Sequence, residues 1–264
     1  VRRFRTHMST TQPSLHSLTS LLHFENVSVY DGETALLNNV NLEVLEGSFH
    51  CLVGESGSGK SLLTRTALGM RQPQLRYDGQ VEIDIDNTDA MFQDTNSNFF
   101  QNVKIHKHFD ALFDSLNSTL SRKEQHEFVK RQFTHLGLEQ PQELLHYYPF
   151  QLSGGMAQRI ALVMSIVREA KFLIADEPTS ALDYENRNGL MWLLNHVVRE
   201  HNMTILFITH DLSLAMDYAT HISVMQNGQI IESGDAKEIL ESPQHPYTQQ
   251  LIELANRRNR YVTD

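Results

Sequence analysis

Apolar positions along the chain follow two rhythms. From Leu22 to Tyr30 they alternate with polar ones (Leu22-His23-Phe24-Glu25-Asn26-Val27-Ser28-Val29-Tyr30), the period of a half-buried strand, and the stretch stops at Asp31-Gly32. Val40 to Leu45 reads as a second strand ending at a Glu46-Gly47 turn, and Gln80 to Ile85 as a third after a Tyr77-Asp78-Gly79 turn. Cys51-Leu52-Val53, Ala90-Met91-Phe92, Phe172-Leu173-Ile174-Ala175 and Thr204-Ile205-Leu206-Phe207-Ile208 are short apolar runs. The last two are long enough to predict strands buried on both faces of a parallel sheet.

The second rhythm is helical. Ile105, Phe109, Leu112, Phe113 and Leu116 fall on one helix face. Ser121 with Glu124 predicts a capping box for a helix carrying Phe128, Val129, Phe133 and Leu136 and closed by Gly137. Ile160, Val163, Met164 and Val167 mark another helix, and Leu190, Met191, Leu193, Leu194, Val197 and Val198 one more. Farther on, His221 to Met225, Asn227-Gly228 and Gln229 to Glu232 predict a hairpin with a type I′ turn. Strands alternating with helices specify an α/β fold with a parallel sheet, into which a mainly helical segment, from about Thr95 to Arg168, is inserted.

Composition narrows the class. With 264 residues the chain can bury a substantial core, and 40% hydrophobic with 20% charged residues is ordinary for a globular protein. No apolar run approaches the roughly 18 residues of a membrane span. A net charge of −10 argues against broad nonspecific binding to nucleic acid. The single cysteine, Cys51, lies in an apolar run and reads as packing, which fits a reducing cytoplasm. Residues 1–20, basic and then Ser/Thr/Gln-rich, read as a disordered leader, with Met8 as an alternative start.

The chemistry concentrates in Gly54-Glu55-Ser56-Gly57-Ser58-Gly59-Lys60-Ser61, which matches G-x-x-x-x-G-K-[ST] in full. The match follows the run Cys51-Leu52-Val53 and precedes the helical positions Leu62, Leu63, Ala67 and Leu68, the context such a loop requires. Close-spaced phosphates need converging backbone N–H donors, which Gly54, Gly57 and Gly59 permit. Lys60 supplies a point charge to the β and γ oxygens, Ser61 a hydroxyl for Mg²⁺, and the helix start a positive dipole end.

Two further stretches belong with the loop. Asp176 and Glu177 follow the apolar run at Ala175, so two carboxylates stand at the carboxyl end of a buried strand, where open α/β sheets bind ligands. Asp176 is positioned to hold Mg²⁺ through water and Glu177 to accept a proton from an attacking water. Leu152-Ser153-Gly154-Gly155-Met156-Ala157-Gln158-Arg159 opens a helix, either as an anion site or as a plain Ser-capped start. Tyr30, at the end of the first strand, serves equally well as a plate for a nucleotide base or as a packed strand-end tyrosine.

The phosphate loop, Gln93, the Leu-Ser-Gly-Gly-Met stretch, Leu173-Ile174-Ala175-Asp176-Glu177-Pro178, Ser180-Ala181-Leu182-Asp183 and Thr209-His210-Asp211 occur in that order, and together they resemble the ATP-binding subunit of an ABC transporter. The resemblance spans roughly Leu22 to Leu254. It implies a P-loop NTPase core with a parallel sheet, an N-terminal antiparallel β subdomain and an inserted helical subdomain at about 95–168. The ATP-binding domain then covers 21–235, and a C-terminal tail covers 236–264. It also implies two ATPase subunits facing head to tail, with Ser153, Gly154 and Gly155 of one chain completing the site around Lys60 of the other. Tyr30 becomes the adenine-stacking residue, Gln93 the Mg²⁺-sensing contact to the permease, Asp183 a cross-dimer link and His210 the γ-phosphate switch. ATP and Mg²⁺ are the implied cofactors.

Within that family the chain resembles the peptide and nickel importer branch. The pointers are Tyr148-Pro149-Phe150, Met156, the run Ile174 to Asp183, and the tail Ser242-Pro243-Gln244-His245-Pro246-Tyr247-Thr248. Such importers usually pair two different ATPases with two permeases and an outside binding protein, at the cytoplasmic face of the membrane. Two features depart from the branch: Thr95-Asn96-Ser97-Asn98 lacks its usual proline, and the short span from Lys60 to Gln93 tilts the cargo toward nickel or metal chelates. The tail has no cysteines for an iron–sulfur cluster, and the 14 histidines are scattered, so no metal besides Mg²⁺ is expected. The rival reading is a non-transport ABC ATPase acting on nucleic acid or ribosomes. That class typically carries a coiled-coil or zinc insert or a tandem ATPase unit, which this sequence does not display.

Overall fold

A computed structural model of the chain describes residues 19–93, 98–180, 184–214 and 216–262. The predicted leader, apart from its last two residues, lies outside them, as do Asp183 and residues 94–97.

The wholly apolar strands come together at the centre. β3 (Phe49–Val53), β6 (Phe172–Asp176) and β7 (Thr204–Thr209) are buried at every residue. They lie in a six-stranded sheet of order β5-β6-β7-β3-β8-β9, with β5 at Thr88–Met91, β8 at His221–Gln226 and β9 at Gln229–Asp235. All are parallel except β9, which returns as the predicted hairpin. Asn227 and Gly228 both have positive φ (49° and 74°), as a type I′ turn demands.

Alternate residues of the central strands feed two cores, as the two-residue period dictates. Cys51, Val53, Leu173, Ala175, Ile205 and Phe207 join one core with α5 (Gly154–Val167), α6 (Tyr184–Glu200) and the chain's end. Leu52, Ile174, Leu206 and Ile208 join the other with Leu63 and Ala67 of α1 (Lys60–Ala67). A separate antiparallel sheet, β2 (Thr34–Leu45), β1 (Ser20–Asp31) and β4 (Arg76–Ile83), covers that second core with Phe24, Val29, Leu37 and Val40. Each such fully buried side chain contributes roughly 1.5–3 kcal/mol of transfer free energy. Cys51 is fully buried and burial pushes its thiol well above the usual range, so it is packing.

The helical insert comprises α2 (Ile105–Ser115), α3 (Arg122–His135), the short α4 (Pro141–Leu144) and α5. The capping box forms: Ser121 N–H donates to Glu124 Oε2 at 2.8 Å, and Glu124 N–H donates to Ser121 Oγ at 3.4 Å. Phe109 of α2 meets Phe133 of α3 edge-on, ring centroids 5.7 Å apart.

Several local expectations change. Tyr77 to Gly79 is not a turn but part of β4, where the ladder shifts register between Glu25 and Ser28 and absorbs the glycine. β2 starts at Thr34 rather than Val40, because the tight turn after Asp31 zips both strands together at once. Ile85 begins a short 3₁₀ turn, Ile85–Asn87, and is 48% exposed, outside the strand. Leu116 follows α2 and is exposed, because the helix ends one residue before it. The tail forms two helices, α7 (Ala236–Glu241) and α8 (Pro246–Val262); α8 buries Leu251, Ile252 and Ala255 in the main core.

Candidate functional site

The phosphate-loop motif connects β3 to α1 at the carboxyl edge of the central sheet. Gly54 passes against the hairpin: a Cβ there would lie 2.2 Å from the Met225 carbonyl oxygen. Gly59, with φ of +109°, turns the chain into α1 where any other residue would be strained. The first N–H groups of α1 have no carbonyl partner within the helix. A cleft of about 430 Å³ opens there, lined among others by Ser56, Gly57, Lys60, Ser61, Gln93 and Glu177.

Lys60 is buried, and its ammonium folds back to donate to the carbonyls of Gly54 (2.7 Å) and Glu55 (2.9 Å). Its nitrogen also lies 3.8 Å from Glu177 Oε1. Burial lowers its pKa, while the negative charges of Glu177 and Asp176 oppose that shift. Glu177 has a second partner in His210, whose Nδ1 lies 2.7 Å from its Oε2. Its backbone is in the left-handed region at φ +50°, uncommon for a non-glycine residue and a kind of local strain that clusters at functional sites. The N–H of Glu177 donates to the Ile208 carbonyl at 2.9 Å, so the strained residue is tied to β7.

Asp176 ends β6 and is 6% exposed. Burial pushes its carboxyl upward, the Ser61 hydroxyl bond pulls the other way and the Glu177 charge adds to the rise. Asp176 Oδ1 is buried and finds no hydrogen-bond partner among the described residues. A buried acceptor left open beside the Ser61 hydroxyl, with Gln93 lining the same cleft as Ser61, offers oxygen donors that fit a hard divalent cation such as Mg²⁺.

The remaining expected residues are distributed as follows. Ser58 is buried within the loop, and Glu55 and Ser56 are exposed. Tyr30, next to last in β1, has the Arg76 guanidinium 4.3 Å from its ring centroid and does not line the cleft. Ser153 caps α5, its Oγ accepting from the Met156 N–H at 3.2 Å. Ser153 and Gly154 are exposed, Gly155 is half-buried, and none of the three lines the cleft within this chain. Asp183 is outside the described residues.

Three contacts were not legible in the motifs. The Tyr247 hydroxyl of α8 accepts from the Glu55 N–H at 3.0 Å, so the tail touches the phosphate loop directly. Arg258 pairs with Asp211, next to His210, at 2.8 Å. Gln158, buried in α5, donates to the Pro178 carbonyl and joins the serine-capped helix to the Glu177 turn.

Comparison with known proteins agrees with this geometry. The ABC transporter family model matches residues 37–180. The nickel import system ATP-binding protein NikD of Staphylococcus aureus (strain bovine RF122 / ET3-1) is 31% identical, over 93% of this chain and all of that protein. The dipeptide transport ATP-binding protein DppD of Lactococcus lactis is 30% identical, over 86% of this chain and 70% of that one. A probable sulfate/thiosulfate import ATP-binding protein CysA of Chlorella vulgaris is 35% identical, over 87% and 98%. Among solved structures, the dimeric ATP-binding cassette MJ0796 in a post-hydrolysis state bound to ADP and Pi superposes with a TM-score of 0.69 at 26% identity, covering 81% of this chain and 98% of that one. With a phosphate loop, an acidic strand end and a serine-capped helix arranged in this way, the chain belongs to the ABC transporter family, as an ATP-binding subunit that hydrolyses ATP.

Proposed function

We propose that this subunit powers an importer of peptides or of nickel or other metal chelates, working as half of an ATPase dimer docked on two membrane permeases. The observation that carries the dimer is the division of the site. Lys60 and Glu177 line one cleft, with His210 hydrogen-bonded to Glu177 and Asp176 preceding it in the chain, while Ser153, Gly154 and Gly155 at the start of α5 line no part of it. A second, homologous subunit facing head to tail would bring its own Ser153, Gly154 and Gly155 to the γ-phosphate, with Asp183 as a cross-dimer link. The dimeric cassette bound to ADP and Pi supports the arrangement.

In this reading ATP takes over the Lys60 ammonium from the Gly54 and Glu55 carbonyls, and the loop N–H groups hold its phosphates. Ser61, Gln93 and Asp176 would hold Mg²⁺, which would supply positive charge to offset that of the phosphates. Glu177 Oε1 accepts the proton of a water that attacks the γ-phosphorus in line, and ADP leaves with the bridging oxygen. His210, hydrogen-bonded to the other Glu177 oxygen, keeps that carboxylate aimed. Tyr30 lies beyond the cleft and would reach the adenine once nucleotide extends past the loop.

The cargo proposal rests on the tail Ser242 to Thr248, on Tyr148-Pro149-Phe150, and on NikD and DppD being relatives. No helix among the described residues is long and apolar enough to cross a membrane. The subunit would therefore sit peripherally at the cytoplasmic face of the cell membrane, held by its permeases, with an extracytoplasmic binding protein delivering cargo. Affinity recovery of the tagged chain from detergent-solubilised membranes tests this. Two integral membrane permeases and a second ATPase are expected; recovery with ribosomes or nucleic acid instead would overturn the importer reading.

A further inference from the structure

His135, the last residue of α3, meets His196 and Glu200 of α6 at the surface. His135 Nε2 lies 3.0 Å from Glu200 Oε2, and His196 Nε2 lies 3.4 Å from the same oxygen. One ligand-capable atom from each of the three is within 4.8 Å of the others. The two imidazoles are 5.6 Å apart by centroid and inclined by 27°. Trp192, one helical turn before His196, lies flat against its ring at 5.1 Å and 8°, fixing its orientation.

This convergence is more than a surface ion pair requires. One imidazole satisfies an exposed carboxylate, and such pairs contribute little, roughly 0–1 kcal/mol. Here two nitrogens aim at one oxygen from different helices. His196 and Glu200 share a helix face by their i, i+4 spacing, and His135 arrives across the interface. Ligands of a tetrahedral zinc ion, held at about 2.0–2.1 Å, stand roughly 3.3–3.4 Å from each other. The 3.0 and 3.4 Å separations are already at that scale. All three side chains are 42–43% exposed, so an ion can enter from solvent.

We propose that His135, His196 and Glu200 form a binding site for a late first-row divalent transition ion such as Zn²⁺, separate from the nucleotide cleft. Two imidazoles and one carboxylate suit Zn²⁺, Ni²⁺ or Cu²⁺ rather than Mg²⁺ or Ca²⁺, and leave a fourth position for water. The bound ion cross-links α3 of the helical insert to α6, which carries the core beside the sheet. The other histidine group, His106 with His126 and His146, does not offer the same set. His126 Nε2 is engaged by Asp110 at 2.9 Å and His106 Nδ1 by the Leu145 carbonyl at 2.8 Å.

The chain reports on this site by itself, because Trp192 is its single tryptophan. The full-length, nucleotide-free protein is titrated in excess Mg²⁺, with Zn²⁺ by calorimetry and with Ni²⁺ by tryptophan fluorescence. One Zn²⁺ per chain and saturable quenching by Ni²⁺ are expected. His135→Ala and Glu200→Gln should each weaken Zn²⁺ at least tenfold, roughly the loss seen even when an outer-shell partner of a metal ligand is removed. His126→Ala should leave it unchanged. Absence of saturable Zn²⁺ binding, unaltered affinity in either ligand variant, or loss of binding in His126→Ala would overturn the proposal.

Discussion

Glu177 holds the cleft together through two contacts, one oxygen 3.8 Å from Lys60 and the other 2.7 Å from His210, on a backbone at φ +50°. Its neighbour Asp176 keeps an open buried oxygen. Two adjacent carboxylates thus have different surroundings, which suits one to a cation and the other to a proton. Glu177→Gln keeps the shape and the hydrogen bond to His210 but removes the base. ATP hydrolysis by this variant, measured as phosphate release, should slow by about 10²- to 10⁴-fold, with ATP still bound. Near-normal turnover would remove Glu177 from that role. At this scale the sequence was highly legible: the residue types and spacing of the phosphate loop and of Asp176-Glu177 encode their chemistry locally. The folded-back Lys60 was not legible, because it depends on which carbonyls the loop turns inward.

At the level of elements, α8 links the tail to the loop. Replacing Tyr247 by Phe leaves the Glu55 N–H without the acceptor it has at 3.0 Å and keeps the packing of the ring. A neutral hydrogen bond of this kind is worth about 1 kcal/mol, so nucleotide affinity should drop roughly fivefold in a fluorescent-nucleotide titration. Unchanged affinity would separate the tail from phosphate-loop geometry. The α2–α3 pair has its own polar joint at Asp110, which faces Lys107, Arg122 and His126. Burial pushes the Asp110 carboxyl up, but the hydrogen bonds from His126 and Lys107 outweigh it, so its pKa ends below the usual carboxylate value. A depressed folded pKa contributes stability above the unfolded value and loses it as pH falls through the folded one. Asp110→Asn should therefore cost about 1 kcal/mol in urea unfolding at neutral pH, the deficit starting to shrink near about pH 4 and disappearing only once pH has fallen through the lowered folded pKa. A deficit that persists in acid would mean that the joint works by shape and not by charge. The helices themselves were readable from their apolar spacing and the Ser121–Glu124 cap. The tail helices were not, since the prolines and polar residues of Ser242 to Thr248 interrupt any apolar spacing.

For the molecule as a whole, the proposed function makes one chain carry two incomplete halves of a site. The cleft is lined by Lys60, Ser61 and Glu177, and the serine-capped start of α5 is not part of that lining. The Glu177→Gln protein, mixed with the second ATPase recovered alongside it and given ATP, should run as a stable pair on gel filtration, because binding persists while the step that reopens the pair is blocked. Two separate monomers at saturating ATP would count against the shared site.

By itself, the sequence determined the kinds of element, their order and the identity of the phosphate-binding chemistry, because periodicity, caps and turn residues act over a few neighbouring positions. It also carried the family through ordered motifs. Only the tertiary structure decided which distant residues meet. Alternate residues of single strands divide between two cores, Tyr247 reaches back to Glu55, and His135 comes to His196 and Glu200. The histidines read as scattered because separation along a chain says nothing about separation in space, which packing of helices against the sheet sets.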